Sequence, residues 1–322
     1  MNRRRFCLAA AMIPALHGLP AVAASLKDGG PVTMVVPFSP GGNLDTVARA
    51  IAPELQDLLG TTVVVENKPG AGGVIGAALV ARAKPDGHTL LVTTPNAITV
   101  APFMTSTDYT LKDFTSVGEI AAASLVVVVN PQGRFKTMRE LLEQAHKKEG
   151  SVTMGHAGLG TTNHIALLGL EDAAGCKFTA VPYKGSAPAV TALLGQQVDA
   201  IIDQVTGSYA NIKAGKLHAI AVLSAKRDRF LPDVPTLAEA GVKGFTAMTQ
   251  AGLLAPAKTP KAVIAQLNSV LNKALQTDAV QQRMTNSGST AMPSAPEDFQ
   301  HILQAQLERA RTLDAQGKLT AD

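Results

Sequence analysis

The 322-residue chain has no tryptophan, and aromatic residues make up only 4% of it. A core without indoles and with few rings must be filled by Ala, Val, Leu and Ile. Cysteine is almost as scarce, at Cys7 and Cys176 only. After residue 24 no segment is apolar enough to span a bilayer, which excludes an integral membrane protein built on helices. There are no low-complexity runs and no short-period repeats.

The N-terminus explains one of the two cysteines. "MNRRRFCLAAAMIPALHGLPAVAAS" opens with Arg3, Arg4 and Arg5, continues with an apolar stretch, and ends in small residues. That is the pattern of an export signal over residues 1–24, cleaved near Ala23 or Ala24 and too short to anchor. The twin-arginine and general secretory routes both fit it. Cys7 leaves with the signal and lacks a lipobox context. The mature chain then keeps Cys176 alone, so no internal disulfide is available and the core must hold the fold.

Cleavage also removes three arginines and no acid, lowering the formal net charge from +4 to +1. The electrostatic basis for a nucleic-acid or membrane-surface partner goes with them. About 300 residues remain, enough for two domains.

What is present is a nearly unbroken alternation of strand and helix. Apolar runs at 32–38, 62–68 and 88–95 read as strands, separated by helices at 45–60 and 74–83. Val47, Ile51, Leu55, Leu58 and Leu59 share one face of the first helix, Pro53 predicts a kink or restart, and Gly60 a stop. The alternation implies a parallel sheet with right-handed crossovers. It restarts with strands at 124–131, 151–158, 176–183, 198–204 and 217–225. "GLLAP" (252–256) reads as a strand with no place in that second unit, and two helices close the chain. The last of them carries an apparent capping box from Ser294 to Glu297. The expected architecture is α/β, in two domains: 25–122 with 250–322, and 123–249. Two chain crossings make a hinge, and a ligand would sit between the domains.

Two loops stand where such a ligand would bind. In "VVPFSPGGNLDTVARAI" (35–51) a strand ends, Ser39-Pro40-Gly41-Gly42 follows, and a helix starts. There is no lysine with Ser or Thr after the glycines and no G-x-G-x-x-G, so a nucleotide is not expected. A strand end with exposed N–H groups and a helix N-terminus binds anions in general, carboxylate included. "AGLGTTNH" (157–164) repeats the arrangement, with Thr161 or Thr162 able to cap its helix or donate a hydroxyl. One such loop can be a simple turn; two, one per unit, resemble the jaws of a site.

At these residues the chain resembles the periplasmic solute-binding proteins of tripartite tricarboxylate transporters, the Bug family. The matching segments are "VPFSPGGNLDTVAR", "VVVENKPGAGGVIGA", "KPDGHTLLVTT", "HAGLGTTNHIA", "VPYKGSAPAVTALLGQQVDAIIDQ", "AGKLHAIAVLSAKRDRFLPDVPTLAEAG" and "GLLAPAKTP", spread over the mature chain. The resemblance implies a two-domain Venus-flytrap of the type II periplasmic binding-protein kind, a small carboxylate ligand, no cofactor, and a two-subunit membrane permease as partner. It carries the first jaw onto Phe38, Ser39, Pro40, Gly41, Gly42, Asn43 and Asp45. The second jaw falls on Gly158, Gly160, Thr161 and Thr162. Ala71 and Gly72 should line the pocket, and Asp203 should face the cleft, taking an ammonium group or anchoring a water. Thr94 and Asn96 are further candidates. "PNAITV" (95–100) departs from the family pattern, and Pro95 and Ile98 predict a drier wall suited to a ligand with an apolar or aromatic body.

Other chemistries find little support. His156 and His164 flank the second jaw without a third ligand at metal spacing. No G-x-S-x-G elbow exists, and Ser186 lies in "KGSAP", a proline-containing loop. Lys184 and Tyr183 read as a solvated lysine beside a packed tyrosine. With no activated nucleophile or acid–base pair, an enzyme is not expected. A monomeric receptor for transport is the leading reading. A periplasmic sensor presenting its closed form to a membrane signalling protein is the alternative.

Overall fold

The computed structural model of the protein describes Leu26 and residues 29–319. The export segment expected over 1–24 lies outside the described residues. Strands β1 (Val32–Val36), β2 (Val63–Asn67) and β3 (Thr89–Thr93) pair in parallel with β1 at the centre. Helix α1 (Asn43–Leu59) joins β1 to β2, and α2 (Val74–Ala81) joins β2 to β3. Beyond β3 come two helical turns, α3 (Asn96–Thr99) and α4 (Ala101–Met104), in the segment that sequence reading left without structure.

Strand β4 (Phe114–Val129) is the spine of the molecule. Its first part pairs antiparallel with β9 (Met248–Pro256), through Ser124 opposite Met248. From Leu125 on it pairs antiparallel with β7 (Ala200–Gln204), and from Val126 with β8 (His218–Val222). Helix α5 (Met138–Lys147), strand β5 (Thr153–His156), helix α6 (Thr162–Ala174), strand β6 (Thr179–Pro182), helix α7 (Ser186–Leu194) and helix α8 (Val205–Lys213) complete this second lobe. The overall order is β2-β1-β3-β9-β4-β7-β5-β6. Each lobe therefore has a mixed sheet, parallel except where β4 and β9 run against their neighbours. "GLLAP" finds its place here: as β9 it returns between β3 and β4 in the first lobe.

The chain ends in three helices, not two: α9 (Lys261–Gln276), α10 (Asp278–Asn286) and, after the short strand β10 (Thr290–Ala291), α11 (Pro296–Ala315). The N-cap of α11 is Ala295, whose N–H donates to Asp298. Ser294 is not its cap, because its hydroxyl oxygen accepts the N–H of Glu119 on β4. Helix α1 runs unbroken through Pro53, so the expected kink is absent. Leu58, assigned to its buried face, is 44% exposed, while Val47, Ile51, Leu55 and Leu59 are buried.

Cores lie on both faces of both sheets. Val36 and Met34 join one cluster and Val35 another, while Leu125 and Val127 face away from Val126 and Val128, as the two-residue strand period requires. Where α11 crosses the first sheet, Phe299 is fully buried over β9 at a residue without a side chain: a Cβ on Gly252 would sit 2.1 Å from its ring.

Removing that ring should lower stability by about 3–5 kcal/mol for Phe299→Ala. Gly252→Ala should also destabilise, by overpacking. The double variant should recover part of the sum, because the new methyl enters the vacated space. Urea denaturation of the four proteins checks this; strictly additive losses would mean that the ring and the glycine do not share one space.

Candidate functional site

The first jaw is shaped by an aspartate that does not serve its own helix. Asp45 is buried in the first turn of α1, yet Oδ2 accepts the Gly41 N–H at 2.8 Å. Its oxygens also take Arg49 Nε at 3.0 Å and Asn67 Nδ2 at 3.0 Å. Asn67 Nδ2 reaches the Phe38 carbonyl as well, at 3.0 Å, tying β2 to the loop. Burial alone would raise the Asp45 pKa, but the Arg49 guanidinium, the Gly41 N–H and the Asn67 amide outweigh it and hold the carboxyl below its ordinary range. These bonds fix Gly41 at φ 80°, a left-handed conformation glycine adopts without strain.

The start of α1 is left uncapped. Gly42 is the N-cap and supplies no side chain, and the first helical bond runs from Thr46 N to Gly42 O. The N–H groups of Asn43, Leu44 and Asp45 have no partner among the described residues. Free donors at the positive end of a 17-residue helix are suited to an anion.

In the second lobe, Thr161 caps α6: its hydroxyl accepts the His164 N–H at 3.3 Å and donates to the Gly158 carbonyl at 2.6 Å. The N–H groups of Thr162 and Asn163 stay free among the described residues. His156 and His164 stack behind this loop with ring centroids 4.6 Å apart. His164 Nδ1 accepts the Gly160 N–H at 3.3 Å, and His156 Nδ1 lies 3.1 Å from Gly158 O. Both are buried. Burial lowers each pKa to about 4, and for His156 the neighbouring His164 adds to the shift. Neutral imidazoles therefore brace the jaw from behind, and neither lines the cavity.

Asp203 departs from its expected place. It is 1% exposed and accepts Ser186 Oγ at 2.5 Å and Ser208 Oγ at 2.6 Å. Burial pushes its pKa up against those hydrogen bonds. Space for this arrangement comes from Gly207, where a Cβ would lie 2.1 Å from Ser186 Oγ and 2.6 Å from Asp203. Asp203 thus sits behind Ser186, bonded to hydroxyls of its own lobe, and not on the cleft wall.

Between the lobes lies a cavity with about 350 Å³ of empty space, its mouth included. Of the residues expected from sequence, Phe38, Ser39, Gly42, Asn43, Asp45, Thr94, Thr161 and Thr162 line it. Leu44, Ala157, Asn163, Ser186 and Gln204 line it too, without having been anticipated as ligand contacts. Asn163 and Gln204 form an amide pair, Gln204 Nε2 donating to Asn163 Oδ1 at 2.8 Å, while Asn163 Nδ2 donates to Ile202 O. No lysine, arginine or histidine lines the cavity.

The other expected residues have different places. Pro40 and Gly41 lie on the solvent side of the loop. Ala71 and Gly72 adjoin the opposite jaw outside the cavity; a Cβ on Gly72 would be 2.1 Å from Leu159 O. Gly158 and Gly160 form the turn of the second jaw, and Gly160 packs on Ala101. Asn96 is buried and accepts Thr162 Oγ1 at 3.3 Å. Ile98 is in the first lobe's core with Val35 and Phe299, so the drier cavity wall expected from Pro95 and Ile98 is absent. The jaws touch at Ser39, whose N–H and hydroxyl both donate to Lys184 O, at 3.1 and 3.0 Å.

This arrangement can hold an anion. Ser186 donates to the Asp203 carboxylate, which Ser208 also engages, and no histidine or lysine lines the cavity beside it. No cluster of three or more metal-ligating side chains exists among the described residues.

Comparison with known proteins gives a consistent result. The profile of the tripartite tricarboxylate transporter family receptor matches residues 47–317. Protein BugT of Bordetella pertussis is 35% identical over 313 residues, covering 96% of each chain. The solved structure of MatC from Rhodopseudomonas palustris with bound malate superposes with a TM-score of 0.83 at 34% identity, covering 88% of this chain and 98% of that one. R. palustris Rpa4515 with adipate gives a TM-score of 0.85 at 31% identity, covering 90% and 98%.

The stacked histidines predict a specific acid sensitivity. In the unfolded chain they titrate near 6.5, and in the folded protein near 4. Between those values the unfolded chain binds protons that the folded one refuses, so stability falls as pH drops through this window, by an amount on the order of a few kcal/mol. Thermal unfolding from pH 7 to pH 4 should show a steeper decline for the wild type than for His156→Gln/His164→Gln. Parallel curves would mean that the pair is not held neutral.

Proposed function

The chain belongs to the tripartite tricarboxylate transporter receptor family, and on that premise we propose that it captures one small carboxylate in the periplasm and delivers it to a two-subunit membrane permease. The family consists of periplasmic solute-binding proteins, not enzymes, and relatives of the same fold hold malate and adipate. One observation carries the reading for this chain. The start of α1, which no side chain caps, and the start of α6, where Thr161 takes only the His164 N–H, open on a single cavity that no cationic side chain lines. Their free N–H groups supply positive potential there, each helix start worth roughly half a charge.

In this reading the carboxylate takes N–H groups from Asn43, Leu44 and Asp45 on one side and Thr162 and Asn163 on the other. Ser39, Thr94 and Thr161 surround it, and the rest of the ligand rests on Phe38, Leu44 and Ala157. Asp203 acts through Ser186 and makes no direct contact. We place the domain division at 122–123 and 249–250, and closing the two domains over the ligand would exclude water and strengthen each N–H contact. The export signal over 1–24 delivers the chain to that compartment.

A thermal-shift screen of residues 25–322, unfolded and refolded to strip bound solute, tests this against mono-, di- and tricarboxylates, amino acids and neutral analogues. A ligand at about 100 times its Kd should add roughly 2.7 kcal/mol of stability. Gly42→Asp is the discriminating variant. Gly42 already has an extended N-cap conformation, and its Cβ would stand 3.4 Å from the nearest atom, on Ser186. An aspartate there should fold as well as glycine while occupying the helix start with a negative charge. Binding lost with the melting temperature kept supports the site; undiminished affinity refutes it.

A further inference from the structure

The first lobe has a polar cavity at its far pole, away from the cleft. It opens between the starts of α9 and α11, beside the first residues of β4, and its lining includes Ser116, Thr259, Lys261 and Glu297. The cleft cavity reaches Thr94, just past the end of β3, where Thr93 lies opposite Gly252 of β9. The polar cavity lies by the other end of β9, where Pro256 is opposite Phe114. Four strand residues, about 13 Å, separate those ends. The two cavities have no lining residue in common.

The two helix starts at this pole differ. Helix α11 compensates its own: Glu297 and Asp298 are in its first turn, and Asp298 takes the Ala295 N–H. Helix α9 does not. Its N-cap is Pro260, whose ring cannot accept a hydrogen bond, and its first turn contains no acid. Its first bonds run from Val263 and Ile264 N–H to Pro260 O, so the N–H groups of Lys261 and Ala262 have no partner among the described residues. Lys261 adds a full positive charge at the positive end of this 16-residue helix, an arrangement the helix dipole opposes. Its ammonium forms no ion pair among the described residues.

The cavity wall supplies a second, independent observation. Ser116 is 2% exposed and Thr259 7%, and neither hydroxyl oxygen has a hydrogen-bond partner. Buried hydroxyls are nearly always paired. The Asn268 amide on the same wall is already spent on Val117 O and Ser294 O. Two unused hydroxyls therefore border a free cation and an uncompensated helix start.

We propose that this pole is a second binding site, separate from the cleft, and that it takes inorganic hydrogen phosphate. The N–H groups of Lys261 and Ala262, the Lys261 ammonium, and the Ser116 and Thr259 hydroxyls, turned inward about χ1, donate to the phosphate oxygens. Glu297 selects among anions. Its carboxylate is an acceptor, and hydrogen phosphate has one P–O–H to donate to it. Sulfate and the dianion of a phosphate monoester have no such proton, so they would set oxygen against oxygen.

The test is calorimetric titration of residues 25–322 with inorganic phosphate at about pH 8, where a monoester is fully dianionic, with ionic strength held by chloride. Binding should be saturable at one site, and phosphate should be preferred over sulfate and methyl phosphate by about tenfold. Lys261→Glu should abolish binding, while the free variant melts no lower than the wild type because an acid suits a helix start. Thr259→Val removes a hydroxyl without a partner, so it should weaken phosphate about fivefold without lowering the melting temperature. Glu297→Gln should erase the preference over sulfate, since an amide can donate to either anion. Gly42→Asp, in the cleft, should leave phosphate binding unchanged. Heats no larger than those of chloride, equal affinity for sulfate in the wild type, or binding that survives Lys261→Glu overturns the proposal. Loss of phosphate binding in Gly42→Asp would place the anion in the cleft and overturn it too. None of these outcomes bears on the carboxylate proposed for the cleft, which has its own screen.

Discussion

Everything at the mouth of the cleft depends on where the first-turn N–H groups of two helices can go. A helix start leaves several donors without intrahelical partners, and a nearby side chain usually takes one of them. Here Asp45 is in position to compensate its own helix, but its oxygens are turned outward to Gly41, Arg49 and Asn67. The arginine neutralises the carboxylate, and the bond to Gly41 holds the loop in its left-handed turn. The result is a rigid loop beside an unspent helix dipole. Thr161 in the other lobe does the same work with a hydroxyl, bracing the turn through Gly158 O and capping only the His164 N–H. In both lobes the polar side chains satisfy the loop, and the backbone donors are left for something that is not protein.

Asp203 shows the same economy applied to a buried carboxyl group. A carboxylate 1% exposed is tolerable only with donors around it, and Ser186 and Ser208 provide them. Because Ser186 is the first residue of α7, Asp203 also sits at the start of that helix. Its carboxyl group is therefore set at the α7 start, while α6 stays free for the cavity. Gly207 is the condition for this packing, since any side chain there would displace either the serine or the aspartate.

Much of this was legible in the sequence, and the reasons for the misses are physical. Strands such as Val32–Val36 and helices such as α1 announce themselves because their apolar residues follow one period for several turns. The first half of β4 does not: Ser116, Gly118 and the run Ala121–Ala123 are small or polar, and two register shifts against β9 break the alternation. Only its Val-rich end, from Ser124, was read as strand. The jaws were legible because glycine and threonine at strand ends are local signals. Asn163, Ser186 and Gln204 were not, because each is brought to the cavity by the tertiary fold. Ser186 was read as part of a loop, although it begins α7. Ile98 failed for a related reason: in the short turns α3 and α4 a one-residue rotation decides between core and cavity, and no periodicity exists over four residues to reveal which.

The same topology bears on how a receptor of this kind could move. The first and second sheets are joined along β4, with β9 beside it up to Met248. Few backbone segments therefore resist a change in the angle between the lobes, whereas each sheet is locked by cores on both faces. Between the lobes the direct polar contacts are modest: Ser39 to Lys184 O, the long bond between Thr162 and Asn96, and the exposed Lys318–Asp172 pair. Bonds of this kind contribute roughly 1 kcal/mol each, too little to hold two lobes shut without help. A ligand that supplies acceptors for five otherwise unpaired N–H groups adds interactions available only when both helix starts face the same cavity. Differential binding of that kind is what shifts an open–closed equilibrium. In the function proposed, the donors left unsatisfied by the fold would thus also be the means by which occupancy becomes a change of shape.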